Sequence, residues 1–324
     1  MVLLLLARQQ IKGSMNSEGL PNSGIDYYIS EEAMRTLGAF NKPYLVSLSG
    51  CSLDDNLEML TRTMNVEGIA GIELNLACPN VPGKPIIAYD FDMMEKWIKK
   101  ICAHPKFKKK PLGVKMAPYF DAPHFEQAAS IIAKYPVKFI TCINTIGNGL
   151  MVDADNEMPS MLAKGGFGGL GGGFVKPTAL ANVNTMYRLL AEKKRSDIDI
   201  IGVGGISSGR DAFEMILVGA KAVQIGTCHW TEGAGCFERI ACELEDIMKS
   251  KGYSSIEEFR GKLKSYSKEL AKKKKSPSVS ATSSKMQTFD HSTHLMYLLL
   301  HAVFALLCIS AMYCINRGYA PFAI

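Results

Sequence analysis

The hexapeptide NLACPN, residues 75–80, places a thiol between two amides directly after the apolar run GIEL. Burial is usual for a cysteine, but Cys78 stands in a polar stretch before Pro79, which is a poor position for an apolar filler. A thiolate acts as a general base as well as a nucleophile. No histidine or aspartate neighbours Cys78 in the sequence, so a hydrolase triad is not indicated. Cys78 is therefore a candidate catalytic base.

Glycines end two apolar runs in the second half of the chain. GVGGISSGRDAFEMI brings Gly204 and Gly205 before a helical pattern, and QIGT brings Gly226 and Thr227. Glycines let backbone N–H groups approach a phosphate, and helix N-termini add positive potential. An ordinary strand-to-helix turn would look the same at either place alone, but the two together favour a phosphate site.

The segment KGGFGGLGGGF, residues 164–174, leaves two interpretations open. So many glycines are costly in backbone entropy and are typical of a flexible linker. Phe167 and Leu170 favour instead a loop that packs or approaches a ligand.

Lys115 and several asparagines follow other apolar runs. Lys115 lies near the end of LGVKM, where a lysine is commonly a solvated charge but could also stabilise negative charge on a reduced cofactor ring. Asn16, Asn75, Asn80 and Asn144 offer amides, which bind polar planar ligands through donors and an acceptor. Each asparagine alone is more often a turn or cap residue.

Short apolar runs alternate with helical patterns and must position these side chains. The predicted strands cover residues 44–50, 71–76, 112–116, 139–144, 199–205 and 222–227, and the clearest helical patterns cover 54–65, 91–102 and 125–135. Repeated βα units predict an α/β fold with a parallel sheet. The candidate residues fall at the carboxyl ends of the strands, where a βα barrel assembles its active site.

Composition narrows the function classes. The formal charge of +6 comes largely from a lysine-rich stretch around residues 262–275, so the total predicts no nucleic-acid face. The nine cysteines are irregularly spaced and form no CxxC pair, which argues against a metal site or a disulfide framework. We expect a reducing, cytoplasmic compartment.

The motifs NSEGLPN, ELNLACPNVPGKP, GVKMAPYFD, NTIGNGL, GFGGLGG, PTALANVN and GVGGISSGRDA together resemble those of dihydroorotate dehydrogenases. CPNVPGKP resembles class 1A, the fumarate-using class that includes the trypanosomatid enzymes. The resemblance covers about residues 13–265 and implies a TIM (β/α)8 barrel with bound FMN, usually a homodimer. It implies oxidation of dihydroorotate to orotate and reduction of fumarate to succinate, in pyrimidine (UMP) biosynthesis.

The resemblance also implies roles for single residues. Cys78 is similar to the base that removes a proton from C5 of dihydroorotate, while the hydride from C6 goes to the flavin. The implied substrate-binding residues are Asn16, Gly19, Leu20, Asn75, Asn80, Asn144 and Thr145. The implied FMN-binding residues are Asn75, Lys115, Gly172, Gly204, Gly205, Gly226 and Thr227.

The sequence departs from the family pattern at both ends. The first two βα units of the barrel are not found, and residues 1–12 match nothing in the family. Thr145 stands where the family usually has serine, and Glu18 where it usually has an apolar residue. Two alternatives stay open: a truncated, catalytically impaired flavoprotein-like remnant anchored to a membrane, and the related dihydropyrimidine-reducing barrel domain.

The C-terminal region predicts a membrane anchor. A lysine- and serine-rich linker, residues 266–293, precedes an apolar segment, 294–315, that is long enough to cross a bilayer, and a short tail, 316–324, follows. A buried core helix is the alternative. We expect the segment to anchor the barrel to a membrane, with the barrel on the cytoplasmic side.

Overall fold

A computed structural model describes residues 3–6, 13–17, 22–78, 83, 85–105 and 110–266. The strands are β1 (Leu3–Leu6), β2 (Gly13–Asn16), β3 (Tyr44–Leu48), β4 (Ile69–Asn75), β5 (Leu112–Lys115), β6 (Phe139–Cys142), β7 (Ile146–Leu150), β8 (Val152–Asp153), β9 (Met158–Pro159), β10 (Phe167–Gly172), β11 (Asp199–Val203) and β12 (Ala222–Gln224). The helices are α1 (Gly24–Tyr28), α2 (Glu31–Gly38), α3 (Leu53–Thr63), α4 (Phe91–Cys102), α5 (Ala122–Lys134), α6 (Lys176–Glu192), α7 (Gly209–Leu217), α8 (Thr227–Glu232) and α9 (Gly235–Lys251).

The main sheet has six parallel strands in the order β12–β11–β6–β5–β4–β3. All six predicted strands are present, and the predicted α/β class is confirmed. Sequential strands lie side by side with helices between them, which is the arrangement of a βα barrel wall. Within the described residues, β3 and β12 each pair with only one neighbour in this sheet. The closed barrel and the absence of its first two units stay predictions.

Short polar residues start the helices that cover the outer face of the sheet. Ser52 and Asp55 form a reciprocal capping box at α3, and Asp90 and Asp121 accept backbone N–H groups at α4 and α5. Such caps satisfy the N–H groups that a first helical turn leaves without partners. The three predicted helices are therefore confirmed, with bounds shifted by no more than a few residues.

The apolar core lies between this sheet and its helices. Ile72, Leu74 and Val114 point outward from the strands and are fully buried. From the helices, α4 contributes Met94, Ile98 and Ile101, and α5 contributes Ala128, Ala129 and Ile132. The opposite face of the sheet is free to carry polar groups, because the alternation of side chains along a strand separates the two faces.

A second, antiparallel sheet was not predicted from the sequence. Its order is β1–β2–β10–β7, and the glycine-rich segment supplies its β10. Gly172 pairs with Gly13 and Leu170 with Met15, while Gly168 pairs with Gly149 on β7. The segment is thus a paired strand, which settles the open question in favour of packing over a flexible linker.

Among the described residues, no helix is both long and apolar enough to cross a membrane. The apolar segment 294–315 and the linker before it from residue 267 onward lie outside those residues. The C-terminal anchor therefore stays a prediction.

Candidate active site

The candidate residues meet at one edge of the parallel sheet, as predicted from their positions. Asn75 ends β4 and Lys115 ends β5, whereas Asn144 lies two residues beyond β6. Gly204 and Gly205 follow β11, and Gly226 follows β12. The carboxyl ends of parallel strands share an edge, so residues far apart in sequence are brought together there.

A cavity of about 270 Å³, here called the glycine cavity, opens at the ends of β6, β11 and β12. It is lined by, among others, Gly13, Asn144, Thr145, Gly171, Gly172, Gly173, Gly204, Gly205, Ser207, Gln224, Gly226 and Thr227. Five of the seven residues expected to bind FMN line this one cavity, namely Gly172, Gly204, Gly205, Gly226 and Thr227. The other two, Asn75 and Lys115, are not among its lining residues. β10 of the second sheet forms one wall of it.

Backbone geometry makes glycine necessary at the walls of this cavity. Gly204 and Gly205 have φ angles of 133° and 74°, and Gly172 has 70°, a region that side-chain-bearing residues rarely adopt. A Cβ added at Gly205 would lie 2.5 Å from Cβ of Lys176 and 2.9 Å from the carbonyl oxygen of Gly172. The chain thus approaches itself closely here and presents backbone to the cavity.

The second sheet is fixed to the end of β12 by a pair of hydroxyls. Ser14 Oγ on β2 and Thr227 Oγ1 lie 2.7 Å apart, and Ser14 is buried. Thr227 also begins α8. The contact holds β2 and the last strand of the parallel sheet against the same cavity.

A partly buried carboxylate, Asp211, organises the rim between β11 and α7. Asp211 accepts hydrogen bonds from the Ser207 backbone N–H at 3.0 Å and from the Ser208 hydroxyl at 2.8 Å, and it pairs with Lys176. Partial burial disfavours its ionised form, but the hydrogen bonds from Lys176, Ser207 and Ser208 prevail and lower the pKa of Asp211. The network fixes the loop that carries Gly204 and Gly205.

The Cys228 thiol beside the glycine cavity is uncharged at neutral pH. Burial, followed by the nearby Glu232 carboxylate and Cys236, raises its pKa well above the ordinary value. The thiol therefore adds no negative charge to the cavity wall.

Lys115 reaches the glycine cavity through Gln224. Its Nζ donates to Gln224 Oε1 at 3.0 Å, and Gln224 lines the cavity. Burial of the ammonium group lowers the pKa of Lys115, and the Glu73 carboxylate opposes that shift. Lys115 is thus a partly buried charge at the sheet edge that is hydrogen-bonded to Gln224, whereas the alternative was a fully solvated strand-end lysine.

Cys78 lies in a second cavity of about 340 Å³, here called the cysteine cavity. Asn75, Ser49 and Cys51 also line it, and its apolar wall comes from Ile87, Met93 and Trp97. Cys78 is partly exposed. The thiol therefore borders space that a small molecule can enter, as expected of a catalytic base.

Two asparagines connect the cavities. Asn144 Nδ2 donates to Asn75 Oδ1 at 3.3 Å, and Asn75 Nδ2 donates to Ser49 Oγ at 3.3 Å. Asn75 also accepts the Ala77 backbone N–H at 3.1 Å, which shapes the turn leading to Cys78. Asn75 lines the cysteine cavity and Asn144 the glycine cavity, so one amide pair spans both.

The remaining predicted residues divide into two groups. Asn16 ends β2 and its Nδ2 donates to the Gly169 carbonyl oxygen at 3.4 Å, but within the described chain it is not part of either cavity wall. Gly19, Leu20 and Asn80 lie outside the described residues. Ser49, Glu73 and Gln224 also lie at or near this sheet edge but were not predicted from the sequence. A charged residue inside the apolar run GIELNL was the available signal for Glu73.

Comparisons with known proteins agree on one family. Residues 6–248 match the family model described as dihydroorotate dehydrogenase. The chain is 51% identical over 254 residues to dihydroorotate dehydrogenase (fumarate) of Saccharomyces cerevisiae, a match that covers 78% of this chain and 79% of that protein. It is 49% identical over 252 residues to the probable dihydroorotate dehydrogenase A (fumarate) of Enterococcus faecalis, with 78% and 79% covered.

A solved structure is also similar. The crystal structure of DHODH in complex with ferulenol from Eimeria tenella has a TM-score of 0.62 to this chain at 19% identity, covering 77% of this chain and 71% of that one. At that identity the likeness shows the fold alone.

Proposed function

The chain belongs to the dihydroorotate dehydrogenase family, and from that premise we propose that it oxidises dihydroorotate to orotate with fumarate as the electron acceptor. The observation that carries the proposal is the meeting of Cys78, the Asn75–Asn144 pair and the glycine cavity at one sheet edge. The family indicated by the sequence motifs is confirmed. The fumarate names of the relatives favour this reaction over dihydropyrimidine reduction.

The glycine cavity fits FMN. Seven glycines line it, and a Cβ at Gly204 or Gly205 would clash with neighbouring atoms, so N–H groups of these turns can contact a phosphate directly. When bound, FMN would supply the acceptor for the hydride that leaves C6. Lys115 would place a positive charge beside the flavin ring, where it favours the reduced, anionic form.

The proton and the hydride would leave different carbon atoms of dihydroorotate, the proton C5 and the hydride C6. Cys78 would remove the proton from C5, because its thiol borders the cysteine cavity and can act as a base in its thiolate form. The amides of Asn75 and Asn144 would hold the substrate's ring carbonyl and N–H groups, which need both donors and acceptors. Electron balance is completed by fumarate, which takes two electrons and two protons and leaves as succinate.

The proposed substrate site is completed by Asn16, Gly19, Leu20, Asn80 and Thr145. The proposed FMN contacts also include Gly172, Gly226 and Thr227. The proposal also includes a place in pyrimidine biosynthesis, a homodimer, the residue 13–265 barrel and a cytoplasmic location. The last of these depends on segment 294–315, for which the anchor stays a prediction.

Steady-state turnover tests the proposal. The purified chain loaded with FMN is given dihydroorotate and fumarate, and orotate and succinate are measured, with a quinone in place of fumarate as the control. We expect equal amounts of orotate and succinate and little orotate with the quinone. If orotate forms only with the quinone, fumarate is not the electron acceptor. An FMN-loaded chain that forms no orotate would favour the impaired remnant.

A further inference from the structure

Glu73 is a buried carboxylate that the proposed chemistry has not used. It lies in β4 on the inner face of the parallel sheet and is 7% exposed. Its neighbours along the strand, Ile72 and Leu74, point to the apolar core on the other face. A carboxylate is rarely buried without a partner, since removing its charge from water is costly.

Two hydroxyls from neighbouring strands fix the Glu73 carboxylate. Ser47 on β3 donates to Oε1 at 3.0 Å, and Thr141 on β6 donates to Oε2 at 2.6 Å. Each oxygen of the carboxylate thus receives one hydrogen bond from a neighbouring strand. Thr141 is itself fully buried, so the carboxylate is held rigidly.

The bond from Thr141 to Glu73 crosses β5, the strand that carries Lys115. Glu73 is paired with Gly113 on β5, and Lys115 is paired with both Asn75 and Thr141. Gly113 and Lys115 share a face, because they are two residues apart in a strand. The Glu73 carboxylate therefore lies beside the base of the Lys115 side chain.

Among the described residues, one charged side chain acts electrostatically on Lys115. Two titratable groups of the described chain act on its ammonium group, Glu73 from β4 and Cys142 from β6. Burial raises the pKa of Cys142 to about 12, so that thiol is neutral at neutral pH. Gln224 from β12 accepts a hydrogen bond from Lys115 but carries no charge. Glu73 is left to balance the desolvation of Lys115.

We propose that Glu73 is a positioning residue of the active site, whose fixed carboxylate keeps the positive charge on Lys115 at the carboxyl end of β5. The proposal rests on the role given to Lys115 beside the flavin. Glu73 acts through Lys115. Without Glu73, burial would favour loss of the Lys115 proton, and the site would lose the charge that stabilises the reduced cofactor.

The midpoint potential of bound FMN as a function of pH tests the proposal without requiring turnover. The potential is measured with a chemical reductant and a reference dye, from neutral to strongly alkaline pH, for the FMN-loaded wild type and variants. Loss of the Lys115 proton should appear as a break in the wild-type profile. Glu73→Gln should move that break downward by about 1–3 pH units, the usual effect of one close opposite charge.

Two matched variants separate charge from structure. Glu73→Asp keeps a carboxylate and should keep the break near the wild-type pH. Lys115→Arg should abolish the break, because a guanidinium stays protonated. If Glu73→Gln does not fold, Thr141→Val releases one carboxylate oxygen and should move the break in the same direction by less.

The outcomes are distinct. A Glu73→Gln profile that coincides with the wild type, or a Glu73→Asp profile shifted as far as Glu73→Gln, would overturn the proposal. Because dihydroorotate is not used, these results stand even if the chain fails to oxidise it. If the wild-type chain binds no FMN, both the proposed function and the role proposed for Glu73 are overturned.

Discussion

The two cavities differ in what their walls offer a ligand: exposed main chain at glycines in one, and functional side chains in the other. Seven glycines line the glycine cavity, and at Gly172, Gly204 and Gly205 the backbone conformation or close contacts exclude a side chain, so the main chain is exposed there. The cysteine cavity presents functional side chains, with Cys78 and Asn75 against an apolar wall. A phosphate needs an array of N–H groups, which the backbone supplies. Removing a carbon-bound proton needs a base, which only a side chain supplies.

The difference predicts how each cavity responds to mutation. Replacing a glycine of the glycine cavity should weaken cofactor binding first, because the added side chain would strain the turn proposed to hold the cofactor. A substitution in the cysteine cavity should leave the cofactor bound and remove a step of the reaction. Four predictions test this division, beginning with the largest effect.

Cys78→Ala should slow flavin reduction by dihydroorotate by about 10²-fold or more, because a general base is lost. Cys78→Ser should keep part of the activity with a higher pH optimum, since a hydroxyl is a poorer acid than a thiol. Anaerobic stopped-flow absorbance of the FMN-loaded proteins measures both. Cys242→Ala, at an exposed cysteine of α9, is the control and should be unaffected. An unchanged rate in Cys78→Ala would refute the base assignment.

Gly205→Ala should weaken FMN binding by about tenfold or more, because strain at a position with a φ of 74° costs about 1–3 kcal/mol and pushes the turn outward. Quenching of FMN fluorescence on titration of apoprotein measures the affinity. Gly235→Ala is the control, since a Cβ there meets nothing within 4 Å. Equal affinities for the two variants would argue against FMN in the glycine cavity.

Gly113→Ala should destabilise the fold by about 1–3 kcal/mol through overpacking, because its Cβ would lie 2.0 Å from Cε2 of Phe139. Gly113 lies within the sheet and lines neither cavity in the described part of the chain, so FMN affinity of the folded fraction should change little. Denaturant unfolding measures the stability. Gly38→Ala, where a Cβ meets nothing within 4 Å, should unfold like the wild type.

Asp211→Asn should lower the melting temperature at neutral pH by the smallest amount of the four, and the difference should shrink in acid. The folded-state pKa of Asp211 lies below its ordinary value of 3.8. Its contribution to stability is therefore complete above that value and is lost as the pH falls through the lowered pKa. Melting curves of both proteins from neutral to acid pH check this. A difference that grows in acid would contradict the sign.

Sequence reasoning identified the parallel sheet because its strands are short, continuous apolar runs buried on both sides. It predicted that Cys78, Gly204, Gly205 and Gly226 follow strand ends, as they do in the structure, since βα repeats fix which end of each strand carries these loops. It missed the antiparallel sheet, because FGGLGG has no side-chain alternation and is held by pairing with distant residues of β2 and β7. It could not separate the two cavities, because that division depends on the Asn75–Asn144 contact between residues far apart in sequence.

The most direct test of the account is the first half-reaction in a single turnover. The purified chain with FMN bound is mixed with dihydroorotate in the absence of oxygen, and the visible flavin absorbance and the orotate formed are recorded together. We predict that the flavin bleaches and that orotate appears in an amount equal to the FMN reduced. A chain that retains FMN but neither bleaches nor forms orotate would contradict it.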